Sequence, residues 1–166
     1  MPKSLLLIRH AKSDWADLML SDFKRTLNHR GDVNAPEMAK RLVKRQLFPQ
    51  QLISSPAIRA ISTAKHFATE LNIKPSDIIQ EPEIYDALTQ SLLSVVNNLD
   101  ENSDFTALIG HNPALTGLVN YLCDQTIFNI PTCGMALIKF PFEKWKMVSK
   151  GTGDLIFFDF PKNDKL

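Results

Sequence analysis

The sequence has few cysteines, almost no excess charge and no long hydrophobic run, and each absence excludes a class of protein. The two cysteines, Cys123 and Cys133, are too few for a disulfide framework and lack partners at metal-ligand spacing, so we expect buried free thiols. The 19 Lys and Arg residues nearly balance the 18 Asp and Glu residues, so no overall field attracts nucleic acid or an acidic membrane. No apolar run approaches the length of a membrane span. Any site for an anion must therefore be built locally.

The chain also lacks a linker, an internal repeat and a low-complexity tract, which favours a single domain over residues 1–166. That length is sufficient to bury a sizeable core. The first residues lead directly into an apolar segment, without the apolar core of a signal peptide. We therefore expect a cytoplasmic protein that binds neither nucleic acid nor a membrane.

An apolar segment from Leu5 to Ile8 runs directly into Arg9 and His10. Consecutive aliphatic residues between polar ones predict a short strand that is buried on both faces of a parallel sheet. Ligands of open α/β sheets bind at the carboxyl ends of the strands, where Arg9 and His10 fall. Arginine donates to phosphate or carboxylate, and histidine acts as a base, a nucleophile or a metal ligand. The pair therefore points to phosphate chemistry.

A second junction of this kind follows the predicted strand at 51–54. Ser55 is suited to cap a helix and Pro56 to occupy its first position, which places Arg59 in the first turn. The free N–H groups and the positive dipole end of a helix N-terminus attract anions, and an arginine there adds to the attraction.

A third junction follows the predicted strand at 105–109. His111 comes directly after this strand, and Asn112 and Pro113 are suited to cap and to open the next helix. Each of the three strand ends thus carries a side chain that can bind an anion. Because parallel strands end at the same edge of a sheet, we expect these side chains to meet.

The other segments complete an alternation of strands and helices. Pro36 predicts a helix that begins near Asn34 or Ala35, because proline is favoured at the first helical position. The remaining predicted elements are a strand at 78–79, a helix over 90–98 and strands at 136–140, 145–148 and 155–158 in hairpin order. We expect an α/β fold, a three-layer α/β/α sandwich whose mostly parallel central sheet has an antiparallel edge formed by the C-terminal strands.

Four motifs along the chain resemble those of one known family. They are the stretches Leu7 to Ser13, Leu27 to Gly31, Ser54 to Ala60 with Thr63 and Ala64, and Gly110 to Pro113. In this order they resemble the histidine phosphatase superfamily, which has the phosphoglycerate-mutase-like fold, and in particular its SixA-type phosphohistidine phosphatase branch. The resemblance covers nearly the whole chain.

The resemblance implies a role for each matching residue. His10 would be the catalytic nucleophile and would be transiently phosphorylated, while Arg9, Arg59 and His111 would bind the phosphate of the substrate and stabilise the transferred group. Two arginines and a second histidine can do so without a metal or another cofactor. Neutral His10 should have its second ring nitrogen held by a hydrogen bond, for which a nearby backbone carbonyl is suited. We expect phosphate or sulfate between these side chains in a crystal.

The sequence departs from the superfamily pattern at two points. The usual Arg-His-Gly is Arg-His-Ala here, with Ala11 in the third place, a change common in the SixA-like branch. Many members protonate the leaving group with a carboxylic acid after the third strand, for which Glu83 is the first candidate and Asp86 the second. SixA-like proteins often lack this acid. The roles of Arg25 and Arg30, in loops near the predicted site, stay open.

Three functions are consistent with this sequence. The leading one is removal of phosphate from phosphohistidine in a protein, because imidazole is a good leaving group and the short segment between residues 79 and 105 leaves little room for a cap over the site. The first alternative is a phosphomonoesterase for a small phosphate ester, which requires an acid such as Glu83. The second is a phosphate-binding or phosphoprotein-binding module without turnover.

Overall fold

The computed structural model describes residues 1–163. The strands are β1 (Ser4–Arg9), β2 (Gln51–Ser54), β3 (Ile79–Gln80), β4 (Phe105–Gly110), β5 (Met135–Lys139) and β6 (Asp154–Asp159). The helices are α1 (His29–Lys44), α2 (Ile58–Glu70), α3 (Thr89–Asn97) and α4 (Ala114–Cys123).

The strands form one sheet in the order β3-β2-β4-β1-β5-β6. β1 pairs with β4, β4 with β2 and β2 with β3, and all three pairings are parallel. β5 runs antiparallel to both of its neighbours, β1 and β6. The predicted fold class is confirmed: the centre of the sheet is parallel and the C-terminal strands add the antiparallel edge.

β1 lies between two hydrophobic cores, one on each face of the sheet. Leu6 and Ile8 belong to the core that includes residues of α1 and α2, whereas Leu5 and Leu7 belong to the core that includes residues of α3 and α4. All four side chains have 0% of their surface exposed. Burial on both faces explains why the centre of this strand, Leu5 to Ile8, contains no polar residue, and it fixes the position of Arg9 at the strand end and of His10 after it.

α1 begins at His29, not near Asn34 as the position of Pro36 predicted. The side chain of Asn28 accepts a hydrogen bond of 2.9 Å from the N–H of Gly31 and so caps the helix. Pro36 lies inside the helix, where it forgoes one backbone hydrogen bond. The cap and the apolar face of the helix outweigh the preference of proline for the first position.

The C-terminal region contains two strands where three were predicted. The segment Trp145–Met147, predicted as part of a strand at 145–148, is a short 3-10 helix. The Trp145 side chain is fully buried, and its ring N–H donates to the carbonyl oxygen of Ser103 at 2.9 Å. The buried Trp145 ring belongs to the same core as residues of α3 and α4, and this burial holds the segment in a helical turn instead of a strand.

Cys123 and Cys133 are free and buried, as predicted. Burial raises the pKa of the Cys123 thiol to about 11 and that of Cys133 to about 12, so both are protonated thiols at neutral pH. Among residues 1–163, no helix combines the length and the hydrophobicity that a membrane crossing needs.

Candidate active site

The three predicted strand ends meet at one cavity. β1, β4 and β2 are neighbours in the sheet, so the residues that follow them lie side by side at its carboxyl edge. The cavity has a volume of about 350 Å³, and the residues that line it include Arg9, His10, Asp22, Arg25, Arg59 and His111. The structure therefore brings together four of the five side chains singled out from the sequence.

His10 is held as a neutral imidazole with one defined tautomer. Its side chain is nearly buried, and Nδ1 lies 2.8 Å from the carbonyl oxygen of Ala11. A carbonyl oxygen can only accept, so Nδ1 carries the proton and Nε2 keeps a free lone pair. Burial lowers the pKa of His10 to about 3, and the nearby charges of His111, Arg59 and Arg9 act in the same direction. The hydrogen bond expected from a backbone carbonyl is thus present.

His111 faces His10 across a ring-centroid distance of 5.1 Å. Its Nε2 lies 2.7 Å from the hydroxyl oxygen of Ser55, which also accepts a hydrogen bond from the N–H of Ala57 at 3.2 Å. The hydroxyl proton of Ser55 is therefore available to Nε2, which leaves the proton of neutral His111 on Nδ1. Burial lowers the pKa of His111 to about 4, with the charge of Arg59 as the next cause.

The position of Ser55 corrects the prediction for the following helix. α2 begins at Ile58 and not at Pro56, so Ser55 is not its N-cap. The backbone N–H of Ser55 still donates to the carbonyl oxygen of Ile109 at 3.1 Å, which extends the pairing of β2 with β4. This register leaves the Ser55 hydroxyl beside His111.

Arg9 and Arg59 bring two positive charges to the cavity. Arg9 donates to the carbonyl oxygen of Ile130 at 2.9 Å, and Arg59 donates to the carbonyl oxygen of Asp22 at 2.7 Å. Burial lowers the pKa of Arg9, and the positive charge of Arg59 lowers it further. Two guanidinium groups that repel each other across a cavity favour an anion between them.

Buried nitrogen atoms without a hydrogen-bond partner also concentrate at the cavity. Within residues 1–163, three of the four buried side-chain nitrogen and oxygen atoms that lack a partner are Arg9 Nε, Arg59 Nε and His111 Nδ1. Most buried polar atoms in proteins are hydrogen-bonded. All three atoms belong to residues that line the cavity, so this part of the protein contains an unusual number of unsatisfied donors.

Asp22 is a site residue that the sequence interpretation missed. Its carboxylate accepts hydrogen bonds from Tyr85 at 2.7 Å, from Arg25 at 2.8 Å and from Arg59 at 3.1 Å. The hydrogen bond from the Tyr85 hydroxyl and the two arginines together lower the pKa of Asp22 to about 2. Asp22 lies in a loop without periodicity, 37 residues before Arg59 and 63 before Tyr85. The sequence therefore gives no pattern from which these contacts could be predicted.

Arg25, whose role the sequence left open, lines the cavity. Its side chain is largely buried, its Nε donates to the hydroxyl of Ser13 at 2.9 Å, and its guanidinium lies 3.7 Å from the ring centre of Trp15. These contacts hold a third positive charge at the rim of the cavity.

Thr63, which belongs to one of the four sequence motifs, has a positioning role in the structure. Its hydroxyl accepts from the N–H of Ala11 at 2.9 Å and donates to the carbonyl oxygen of Arg59 at 2.7 Å. Thr63 therefore connects the end of β1 to the first turn of α2 and fixes the separation of His10 and Arg59.

Glu83 is not among the side chains that the structure brings together. It is exposed, and it lines a different cavity of about 700 Å³ between the β3 edge and α3. Asp86, the second candidate acid, is also exposed and is not among the residues that line the active-site cavity. The carboxylate that the structure does place at the site is Asp22.

Sequence comparison identifies the class of protein that this fold and site define. The family model for the histidine phosphatase superfamily (branch 1) matches residues 5–87, which is half of the chain. The chain belongs to the histidine phosphatase superfamily.

Within this superfamily the chain is similar to SixA proteins. A proposed phosphohistidine phosphatase SixA from Agrobacterium tumefaciens superimposes with a TM-score of 0.82 at 27% identity, over 97% of this chain and 99% of that one. The protein histidine phosphatase SixA in complex with tungstate superimposes with a TM-score of 0.77 at 22% identity, over 95% and 97% of the two chains. An uncharacterized chloroplastic protein of Arabidopsis thaliana is 27% identical over 152 residues, 87% of this chain and 69% of the relative.

Proposed function

We propose that the chain is a phosphatase that transfers a phosphoryl group from phosphohistidine in a protein to His10 and then to water. Membership of the histidine phosphatase superfamily and the likeness to SixA support phosphatase activity. The observation that supports His10 as the nucleophile is the hydrogen bond from its Nδ1 to the Ala11 carbonyl. This bond leaves Nε2 unprotonated at a cavity lined by arginines.

In the proposed first step, Nε2 of His10 attacks the phosphorus, and the bond between phosphorus and the substrate imidazole breaks. Arg9, Arg59 and His111 donate hydrogen bonds to the phosphoryl oxygens, where negative charge accumulates. When the second ring nitrogen of the substrate already carries a proton, the imidazole leaves as a neutral molecule. The enzyme then needs no acid, which agrees with the observation that Glu83 does not line the active-site cavity.

In the proposed second step, water attacks the phosphorus of phosphorylated His10, and the bond to Nε2 breaks. Nδ1 keeps its proton throughout, because it donates to the Ala11 carbonyl. His10 therefore also leaves as a neutral imidazole, and inorganic phosphate is released. The same arginines act in both steps, because the phosphoryl group moves only a short distance between them.

The surroundings of the cavity favour a protein as the substrate. The loop that carries Asp22 also exposes large apolar side chains: Trp15 is 68% exposed, Leu18 88% and Met19 92%. Exposed apolar side chains beside a site are typical of surfaces that contact a protein, and they support a protein substrate here. A small phosphate ester could fill the cavity without touching Leu18 or Met19, which are not among the residues that line it.

We further propose that the reaction needs no metal and takes place in the cytoplasm. The charge that a metal would supply is available from Arg9, Arg25 and Arg59. Activity should therefore survive dialysis against a chelator and should not rise on addition of Mg²⁺ or Mn²⁺. Fractionation of the source cells tests the location.

The mechanism is tested by incubation with a phosphohistidine-bearing protein or, in parallel, with phenyl phosphate, followed by an alkaline quench and mass spectrometry. We expect a phosphoryl group on His10, faster turnover of the phosphohistidine substrate and no label in His10→Asn. His29→Asn is a matched control, because His29 is exposed at the start of α1. Label on His10 with turnover of the ester alone would move the substrate class to small molecules. Neither label nor turnover would favour the binding module.

A further inference from the structure

A second cavity, of about 610 Å³, adjoins the active-site cavity. We name it the flank pocket, and the residues that line it include Lys12, Arg30, Thr132, Phe160, Pro161 and Lys162. Lys12 and Thr132 line both cavities, so the two share a wall. The flank pocket has the volume of an ordinary ligand pocket, and nothing in the proposed reaction uses it.

The flank pocket is cationic. Lys12, Arg30 and Lys162 are exposed, and no carboxylate is among the residues that line the pocket. Within residues 1–163, none of these three side chains takes part in an ion pair. Their charges are therefore available to a ligand, and like charges in one concave surface attract an anionic one.

Hydrogen bonds hold the walls of the flank pocket in place. Arg41 donates to the carbonyl oxygens of Phe160 and Pro161 at 3.0 Å and 2.9 Å. On the opposite side, the N–H of Cys133 donates to the carbonyl oxygen of His10 at 3.0 Å, which fixes the segment that carries Thr132. A preformed pocket loses little conformational entropy when a ligand binds.

We propose that the flank pocket binds acidic residues that neighbour the phosphohistidine in the protein substrate. The inference rests on the proposed function, because a phosphoryl group at His10 would place the neighbouring residues of its chain at the shared wall. The carboxylates of Asp or Glu would pair with Arg30 and Lys162, and the rings of Phe160 and Pro161 would cover the methylene groups. The pocket thus selects among phosphohistidine proteins by the charge beside the phosphorylated residue.

Two phosphohistidine peptides of equal length test the proposal. One carries Asp and Glu on both sides of the phosphohistidine, and the other carries Asn and Gln at the same positions. Phosphate release should give a kcat/KM for the acidic peptide roughly three- to tenfold above that for the neutral one in low salt, and added salt should reduce the ratio.

The doubly substituted protein Arg30→Gln/Lys162→Gln assigns the preference to the pocket. We expect its kcat/KM ratio for the two peptides to fall close to one through a higher KM for the acidic peptide. Hydrolysis of phenyl phosphate, which is too small to reach the flank pocket, should stay unchanged. Lys65→Gln/Lys150→Gln removes the same charge from exposed positions that line neither cavity and should keep the preference.

The outcomes separate this inference from the proposed function. Equal kcat/KM values for the two peptides with the unsubstituted protein would overturn the role of the flank pocket and leave the proposed function intact. Turnover of phenyl phosphate without turnover of either peptide would overturn the proposed function itself. A preference that survives in Arg30→Gln/Lys162→Gln with a native circular dichroism spectrum would assign the selectivity to another surface and contradict the inference.

Discussion

Asp22 and Arg59 are joined by two hydrogen bonds, one to the backbone carbonyl of Asp22 at 2.7 Å and one to its carboxylate at 3.1 Å. The same carboxylate also accepts hydrogen bonds from Arg25 and from the hydroxyl of Tyr85. One acidic side chain therefore orients two of the arginines that line the cavity. It also places a negative charge beside the proposed phosphate site, where it would repel the substrate.

Replacement of Asp22 tests which of these two effects is larger. We expect Asp22→Asn to lower kcat/KM for phenyl phosphate by about tenfold, because Arg59 and Arg25 lose the partner that orients them. Tyr85→Phe removes one of the hydrogen bonds to the carboxylate and should cost only about two- to threefold. Steady-state kinetics measure both. A higher kcat/KM in Asp22→Asn would mean that repulsion of the substrate dominates.

The two histidines of the site should make the protein less stable in mild acid. The pKa is about 3 for His10 and about 4 for His111, whereas histidine in an unfolded chain titrates near 6.5. Below pH 6.5 the unfolded chain binds protons that the native protein excludes, so the free energy of unfolding decreases as the pH falls toward 4. The slope approaches about 1.4 kcal/mol per pH unit for each histidine.

Urea unfolding at pH 7, 6 and 5 in phosphate-free buffers measures this slope. His10→Asn should remove the contribution of one histidine and so flatten the pH dependence by up to about 1.4 kcal/mol per pH unit. Asp22 does not interfere, because a pKa lowered to about 2 affects stability only at more acidic pH. An identical slope in His10→Asn would contradict the low pKa of His10.

A side chain at Gly31 should destabilise the protein, because α1 packs closely there against the segment that follows β1. A Cβ atom there would overlap the carbonyl oxygen of Lys12, which is backbone and cannot rotate away. We expect Gly31→Ala to lower the free energy of unfolding by about 1–3 kcal/mol.

Gly117→Ala is the matched control in another helix. A Cβ at Gly117 would meet the hydroxyl of Thr89, the end of a side chain that can move. The gain in helix propensity, about 1 kcal/mol, should offset much of the cost. Urea denaturation compares the two proteins, and equal stabilities would show that α1 shifts freely against β1.

The exposed apolar side chains of the loop that carries Asp22 should affect the binding of protein substrates only. We expect Leu18→Ser/Met19→Ser to raise the KM for a phosphohistidine protein roughly threefold or more, because exposed apolar side chains contribute contact area to an interface. Phenyl phosphate should be hydrolysed at the original rate. Phe48→Ser/Met147→Ser changes two exposed apolar residues that do not line the cavity and should have no such effect. An unchanged KM for the protein would exclude the loop from docking.

Local patterns in the sequence were sufficient to place the three strand ends. β1 at Leu5 to Ile8 and β2 at residues 51–54 follow from short apolar runs bounded by polar residues, and the residues after each run fall at the same sheet edge by topology. For this reason the sequence alone was sufficient to predict that the side chains of Arg9, Arg59 and His111 lie together.

Long-range contacts explain the errors. Pro36 signals a helix start, but the start is set by the Asn28 cap and by the packing of the first turn against Lys12. The segment from Trp145 to Val148 was predicted as a strand, yet burial of Trp145 in the core holds it in a 3-10 turn. Asp22 reaches the site only because a loop without periodicity folds over it, and such a loop carries no period from which its contacts can be inferred.

The site is contributed by segments around residues 9, 59 and 111, which meet only when β1, β4 and β2 pair. An unfolded chain has no place where these side chains converge, so an oxyanion held at the proposed site would bind the native state alone. By mass action, phosphate bound at the proposed site would shift the folding equilibrium by RT ln(1 + [L]/Kd), which amounts to about 2.7 kcal/mol at a hundredfold excess over Kd. The folding equilibrium of the whole protein would then respond to the concentration of the phosphate that the proposed reaction releases.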